Sequence, residues 1–183
     1  MISKGILSLL AFLFLLAPNA DAQRKIQWKT WDQVQKLQKQ EAKKIFVDIH
    51  TEWCGWCKKM DKATFQKDEI AKFVNENYYA VKFDAEDKSD IQFNGRVYKY
   101  VKSGKSGYNE LAVELTRGKL SFPTIVFIDE ELNIIQPIPG FQDVKTFDMI
   151  MTYFAGDHYK TTPWKRYTTT YKKTGTRGIP VGN

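Results

Sequence analysis

Two cysteines among 183 residues exclude a scaffold held together by several disulfides. Only two histidines are present, His50 and His158, and no second cysteine pair stands beside the first. A zinc centre, which draws on four ligands, is therefore short of donors. No segment repeats at the roughly 20–50-residue period of a solenoid. No apolar run reaches the roughly 20 residues a membrane-spanning helix needs. Acidic residues are missing from residues 160–183, which carry six Lys and Arg of the formal net charge of +7. Residues 23–159 balance 21 basic against 20 acidic side chains. The basic excess belongs to a tail and not to a face of the body, so nucleic-acid binding loses its main support.

What is present suffices for a folded domain. At 43% hydrophobic, the chain can bury a real core and does not read as a disordered one. The N-terminus reads differently from the rest. Lys4 precedes a 12-residue run at positions 6–17 that is apolar except for Ser8, and Ala20-Asp21-Ala22 supplies small residues before a cleavage point. That order is a secretory signal, with cutting expected between Ala22 and Gln23. The remainder is expected to be exported without stable membrane insertion, to a periplasm or otherwise to the medium.

Helical and strand signals alternate along the body. Thr30 and Gln33 form a capping-box pattern before Trp31, Val34, Leu37 and Ala42. The near-continuous apolar run at 45–50 predicts a strand covered on both faces. A helix is expected from about Cys54, a second one capped by Asp68, and a strand over 78–83. Asn94-Gly95 predicts a hairpin turn, and Ser103, Gly104, Ser106 and Gly107 mark a loop. Asn109 is a cap for a short helix that Gly118 can end. A buried strand follows at 125–128. A last strand begins at Ile134, with Pro137 and Pro139 placing its far half at an edge or bend. The final helix spans about 144–154 and stops at Gly156. The tail from Tyr159 shows no clear period and is either disordered or strapped over the body by its aromatics. This order predicts an α/β fold with a central mixed sheet and helices on both faces.

Cys54 and Cys57 lie three apart, directly after a strand, at the opening of a helix. Residues i and i+3 share a helix face, within the separation that a disulfide tolerates. The first helical turn offers free N–H groups and the positive end of the dipole, both of which favour a thiolate at Cys54. Thiols in such motifs can titrate between about 3.5 and 7.5, against about 8.5 for a free cysteine. Cys57, a turn inward, is expected to be the more buried. Cys54 then attacks and Cys57 resolves. A purely structural disulfide and a soft-metal-handling dithiol remain as alternatives. A bridge this short constrains the unfolded chain little.

The segment Val47-Asp48-Ile49-His50-Thr51-Glu52-Trp53-Cys54-Gly55-Trp56-Cys57-Lys58 resembles the active-site segment of the thioredoxin superfamily, and Phe122-Pro123-Thr124 resembles its cis-proline loop. Gly140 also matches. The resemblance covers about residues 30–156, within a domain expected at 23–158, and is interrupted by an insertion at about 85–118. It implies a thioredoxin-like fold and a thiol–disulfide oxidoreductase without an organic cofactor or metal. Its partners would be proteins carrying disulfides or thiols, and a redox partner that resets the pair. It also implies that Pro123 is cis beside the sulfurs and that the backbone near Phe122 and Thr124 pairs with substrate. Asp48, six residues before Cys54, takes the place of the family's buried carboxylate, where burial would raise its pKa and let it accept the Cys57 proton. Lys82 is a candidate partner for Asp48, and His50 reads as a strand-end residue. Trp53 and Trp56, flanking Gly55, offer an apolar docking surface, with core packing an equal alternative for Trp53. The sequence departs from the family in three respects: Trp56 where thioredoxin has proline, the insertion, and the basic tail at 159–183.

Overall fold

The computed structural model describes residues 25–174; the expected signal at 1–22 lies outside the described residues. β1 (Trp28–Lys29) leads into α1 (Trp31–Gln38), where Thr30 and Gln33 complete the capping box. α1 ends before Ala42, and β1 carries too short a run to be read in advance. β2 (Ile45–His50) is the central strand, followed by α2 (Gly55–Met60), a π-helical turn (Asp61–Phe65) and α3 (Asp68–Asn77). Asp68 does not cap α3. The N-cap is Lys67, with no side-chain bond, and Asp68 instead places its charge in the first turn, where the helix dipole favours an acid. β3 (Tyr79–Asp84) closes the βαβ unit.

Two hairpins follow, β4 (Ile91–Phe93) with β5 (Arg96–Tyr98) and β6 (Tyr100–Ser103) with β7 (Ser106–Asn109). In the first, Asn94 and Gly95 both adopt positive φ (47° and 76°), as a type I′ turn requires. The second occupies residues whose Ser and Gly content predicts only a loop. Gly107 is needed there, because a Cβ would lie 2.4 Å from the Val101 carbonyl oxygen. α4 (Glu110–Leu115) is capped by Asn109, as expected. β8 (Thr124–Ile128) and β9 (Ile134–Pro139) form the terminal hairpin before α5 (Val144–Ala155), which ends at Gly156.

The five-stranded sheet runs β1-β3-β2-β8-β9. β1, β3 and β2 are parallel, and β8 and β9 are antiparallel to their neighbours, giving the expected mixed sheet. Alternation along β2 sorts its side chains onto two faces. Ile45, Val47 and Ile49 join a core with Trp31, Val126, Leu111 and Leu115. Phe46 joins the other core, with Phe65, Phe127, Phe147 and Ile150. Asp48, two residues after Phe46, therefore points toward the α2, α3 and α5 side.

The insertion is part of the body. Ala85, Ile91, Phe93, Tyr98, Leu111 and Leu115 are all buried in the first of these cores. Of the two readings of the tail, strapping is the one observed up to residue 174. α6 (His158–Thr161) leads to α7 (Trp164–Thr174), whose Tyr167 is fully buried. The Tyr167 ring lies 4.8 Å from Tyr153 of α5, and the Tyr171 hydroxyl donates to Asp148.

Candidate redox site

β2 ends at His50, and a turn at Thr51–Cys54, closed by the Cys54 N–H donating to the Thr51 carbonyl at 3.1 Å, delivers Cys54 to the N-cap of α2. Cys54 and Cys57 are joined in a disulfide with Cα atoms 5.3 Å apart. The Cys57 backbone N–H donates to Cys54 Sγ at 3.0 Å, so a free donor of the first helical turn is aimed at that sulfur. The expected difference in burial is absent: each cysteine is only 4% exposed.

Asp48 is 1% exposed, and its Oδ1 has no hydrogen-bond partner. Burial pushes its carboxyl up from 3.8 to about 6, against the opposing pull of Lys82 and His50 and with a further push from Asp61. The parallel register sets Asp48 opposite Lys82, but Lys82 Nζ lies 3.9 Å from Asp48 Oδ2 and 2.6 Å from Asp61 Oδ1. Lys82 therefore pairs with Asp48 as expected, at the limit of ion-pair distance, and more closely with Asp61. His50 is tied down as a strand-end residue, its Nδ1 donating to the Phe83 carbonyl at 2.8 Å. A cavity of about 380 Å³ reaches Asp48 and Cys57 together, with Asp61 and Lys82 on its wall.

Around the disulfide stands an aromatic rim. Trp53 is 64% and Trp56 58% exposed, so Trp53 does not pack in the core. Trp53 stands edge-on to Phe122 at 5.9 Å, and Trp56 to Phe141 at 5.8 Å. The Phe122–Pro123 peptide is cis, and the Pro123 carbonyl accepts from the Gly140 N–H at 2.8 Å. Thr124 is buried at the start of β8, in register with Ile49 and Pro139, and its hydroxyl donates to the Ser121 carbonyl at 2.7 Å. Gly55 is exposed at the first position of α2, with open space where a Cβ would stand.

Three neighbours escape a reading of the sequence. Trp53 Nε1 donates to Glu86 Oε1 at 3.2 Å, and Tyr108 packs against Phe122 at 6.1 Å; both come from the insertion. Nothing local in the sequence announces either contact. Asp61 was the accessible one, since four residues after Cys57 on a helix is the same face. Among the described residues, no group of three or more His, Cys, Asp or Glu side chains converges as a metal site.

Comparison with known proteins places this geometry in a lineage. A family model described as "Thioredox_DsbH: Protein of unknown function, DUF255" matches residues 14–162. An uncharacterized protein of Caenorhabditis elegans is 32% identical over 124 residues, 57% of this chain. The match spans only 17% of that relative's length. Among solved structures, a thioredoxin-fold protein from Helicobacter pylori superposes with a TM-score of 0.55 at 17% identity, covering 72% of this chain and 81% of that one. A structure described as a DsbH oxidoreductase superposes with a TM-score of 0.51 at 23% identity, covering 77% of this chain and 91% of that one. With a thioredoxin fold, a Cys-Gly-Trp-Cys disulfide of redox type and a family match over most of its length, the chain belongs to the DsbH-type thioredoxin family, DUF255.

Proposed function

We propose that the protein is an exported thiol–disulfide oxidoreductase that reduces or exchanges disulfides in other proteins. The observation that carries this reading is the Cys54–Cys57 disulfide, closed across a first helical turn in front of a buried, unpaired Asp48 oxygen. In the reduced state, the Cys57 N–H that reaches Cys54 Sγ stabilises a Cys54 thiolate. That thiolate attacks one sulfur of a substrate disulfide. The substrate S–S bond breaks, a mixed disulfide forms and one substrate thiolate leaves. Cys57 then yields its S–H proton to the Asp48 carboxylate and attacks Cys54 Sγ. The bond from Cys54 to substrate breaks, the second substrate thiolate takes a proton from water, and the Cys54–Cys57 bond is restored. Two electrons have passed from dithiol to substrate, and the reverse sequence oxidises a substrate dithiol.

The residues around the sulfurs support a protein substrate. Trp53, Trp56, Phe122 and Phe141 form an apolar rim suited to an extended segment, and the backbone beside Pro123 offers strand-like pairing. A second redox protein returns the pair to its starting state. The Lys4, apolar and Ala-Asp-Ala pattern of residues 1–22 supports export, with a periplasm as the compartment. Insulin reduction driven by dithiothreitol tests the activity. The full chain accelerates it and Cys54→Ser does not. A folded protein that gives no acceleration over buffer removes the oxidoreductase reading and leaves a binding module with a static disulfide. The reduction potential of the pair sets the direction: near about −270 mV it is reducing, near about −120 mV strongly oxidising.

A further inference from the structure

Asp61 takes no part in the proton transfer above, yet it holds the cation nearest to Asp48. It begins the π-helical turn that continues α2, four residues after Cys57, and so lies on the face of that helix which meets β2 and β3. Its Oδ1 receives Lys82 Nζ at 2.6 Å, while Gln66 Nε2 donates to its Oδ2 at 3.1 Å and fixes the orientation of the carboxylate. Lys82 is left 3.9 Å from Asp48 Oδ2, beyond a hydrogen bond, although the strand register sets the two residues directly opposite. Asp48 Oδ1 keeps no partner at all among the described residues.

We propose that Asp61 is a positioning residue that keeps Lys82 out of hydrogen-bond contact with Asp48 and so keeps the buried carboxyl able to take up and release the Cys57 proton. An ammonium in direct contact would satisfy Asp48 as a carboxylate and make it a poor base. A cation drawn aside leaves a carboxyl whose charge burial opposes, next to a cavity through which water can carry the proton away. The charged or titratable groups that line the cavity with Asp48, besides Cys57, are Lys82 from β3, Asp61, Lys58 and Lys62 from α2 and its π turn, His50 from the end of β2 and Glu52 from the turn after it. Of these, only Lys82 stands in ion-pair distance of both Asp48 and Asp61.

The functional meaning of this device rests on the oxidoreductase reading, but its test does not. The Asp48 carboxyl is titrated by ¹³C NMR in the oxidised full chain, where the bonded cysteines do not titrate. Asp61→Asn frees Lys82 and moves the Asp48 midpoint to lower pH by about one unit, the size expected for a cation brought alongside a carboxylate. Asp61→Ser, which cannot replace the amide as a partner for Lys82, gives the same shift. Lys82→Gln moves the midpoint to higher pH, and adding Asp61→Asn to it produces less than half the shift seen with Lys82 present. An unmoved midpoint in both Asp61 variants overturns the proposal. So does an equal shift with and without Lys82, because Asp61 would then act by its own charge. Insulin reduction by the unaltered chain separates the two readings. Activity with no titration shift refutes this proposal alone, whereas the shifts without activity uphold the positioning and refute the oxidoreductase.

Discussion

Replacing Asp48 by Asn should change how stability depends on pH, by an amount that follows from the burial of this one carboxyl. In the folded chain its pKa stands at about 6, against an ordinary value of 3.8. Between those values the folded protein retains a proton that the unfolded chain gives up. The contribution of Asp48 is therefore most favourable below pH 3.8, declines as pH rises toward 6, and is flat above. A difference of about two units at 1.36 kcal/mol each makes the decline about 3 kcal/mol. Asp48→Asn has no proton to lose and lacks that slope. Urea unfolding of the oxidised wild type and variant, measured from about pH 3.5 to about pH 7, isolates the effect, because the remaining groups titrate alike in both. The variant gains about 3 kcal/mol on the wild type across that range. That corresponds to roughly 6–12 °C in Tm for a chain of this size. Any cost of placing an amide in the site appears as a constant offset. Parallel stability curves for the two proteins would refute the claim that burial raises the Asp48 carboxyl to about 6.

Other outcomes follow from the same structure. Cys57→Ser leaves Cys54 without its resolving partner, so mixed disulfides with client proteins accumulate and can be captured on non-reducing gels; Cys54→Ser captures none. Trp53→Ala combined with Trp56→Ala strips the exposed rim, raising KM for a protein disulfide several-fold while the rate with a small aromatic disulfide and the stability stay near wild type. Tyr167→Ala removes the largest fully buried side chain, at the α5–α7 contact, and costs about 3–5 kcal/mol in chemical denaturation. Thr30→Ala breaks the capping box of α1 and costs about 1 kcal/mol by the same measurement.

The parts of the molecule that could be read in advance are those with near neighbours for causes. The capping box at Thr30 and Gln33, the Asn94-Gly95 turn and the Asn109 cap each act within four residues, and all three are present. The tail was legible in principle, since Trp164, Tyr167 and Tyr171 recur at three and four residues. The run Thr168-Thr169-Thr170, with poor helix propensity, hides that period. Burial by α5 supplies what propensity lacks, and α7 forms.

The amino-acid order alone determined the dithiol, its place between a strand and a helix, and the alternation that puts Asp48 on the same face as Phe46. These follow from periods of 2 and 3.6 and from cap chemistry, which need no knowledge of the rest of the chain. Only the tertiary structure decided how closely Lys82 approaches Asp48 and which aromatic groups surround the sulfurs. Lys82 meets Asp61 across 21 residues, and Glu86 meets Trp53 across 33. Such contacts depend on strand register and on the path of the insertion, so no local pattern can carry them.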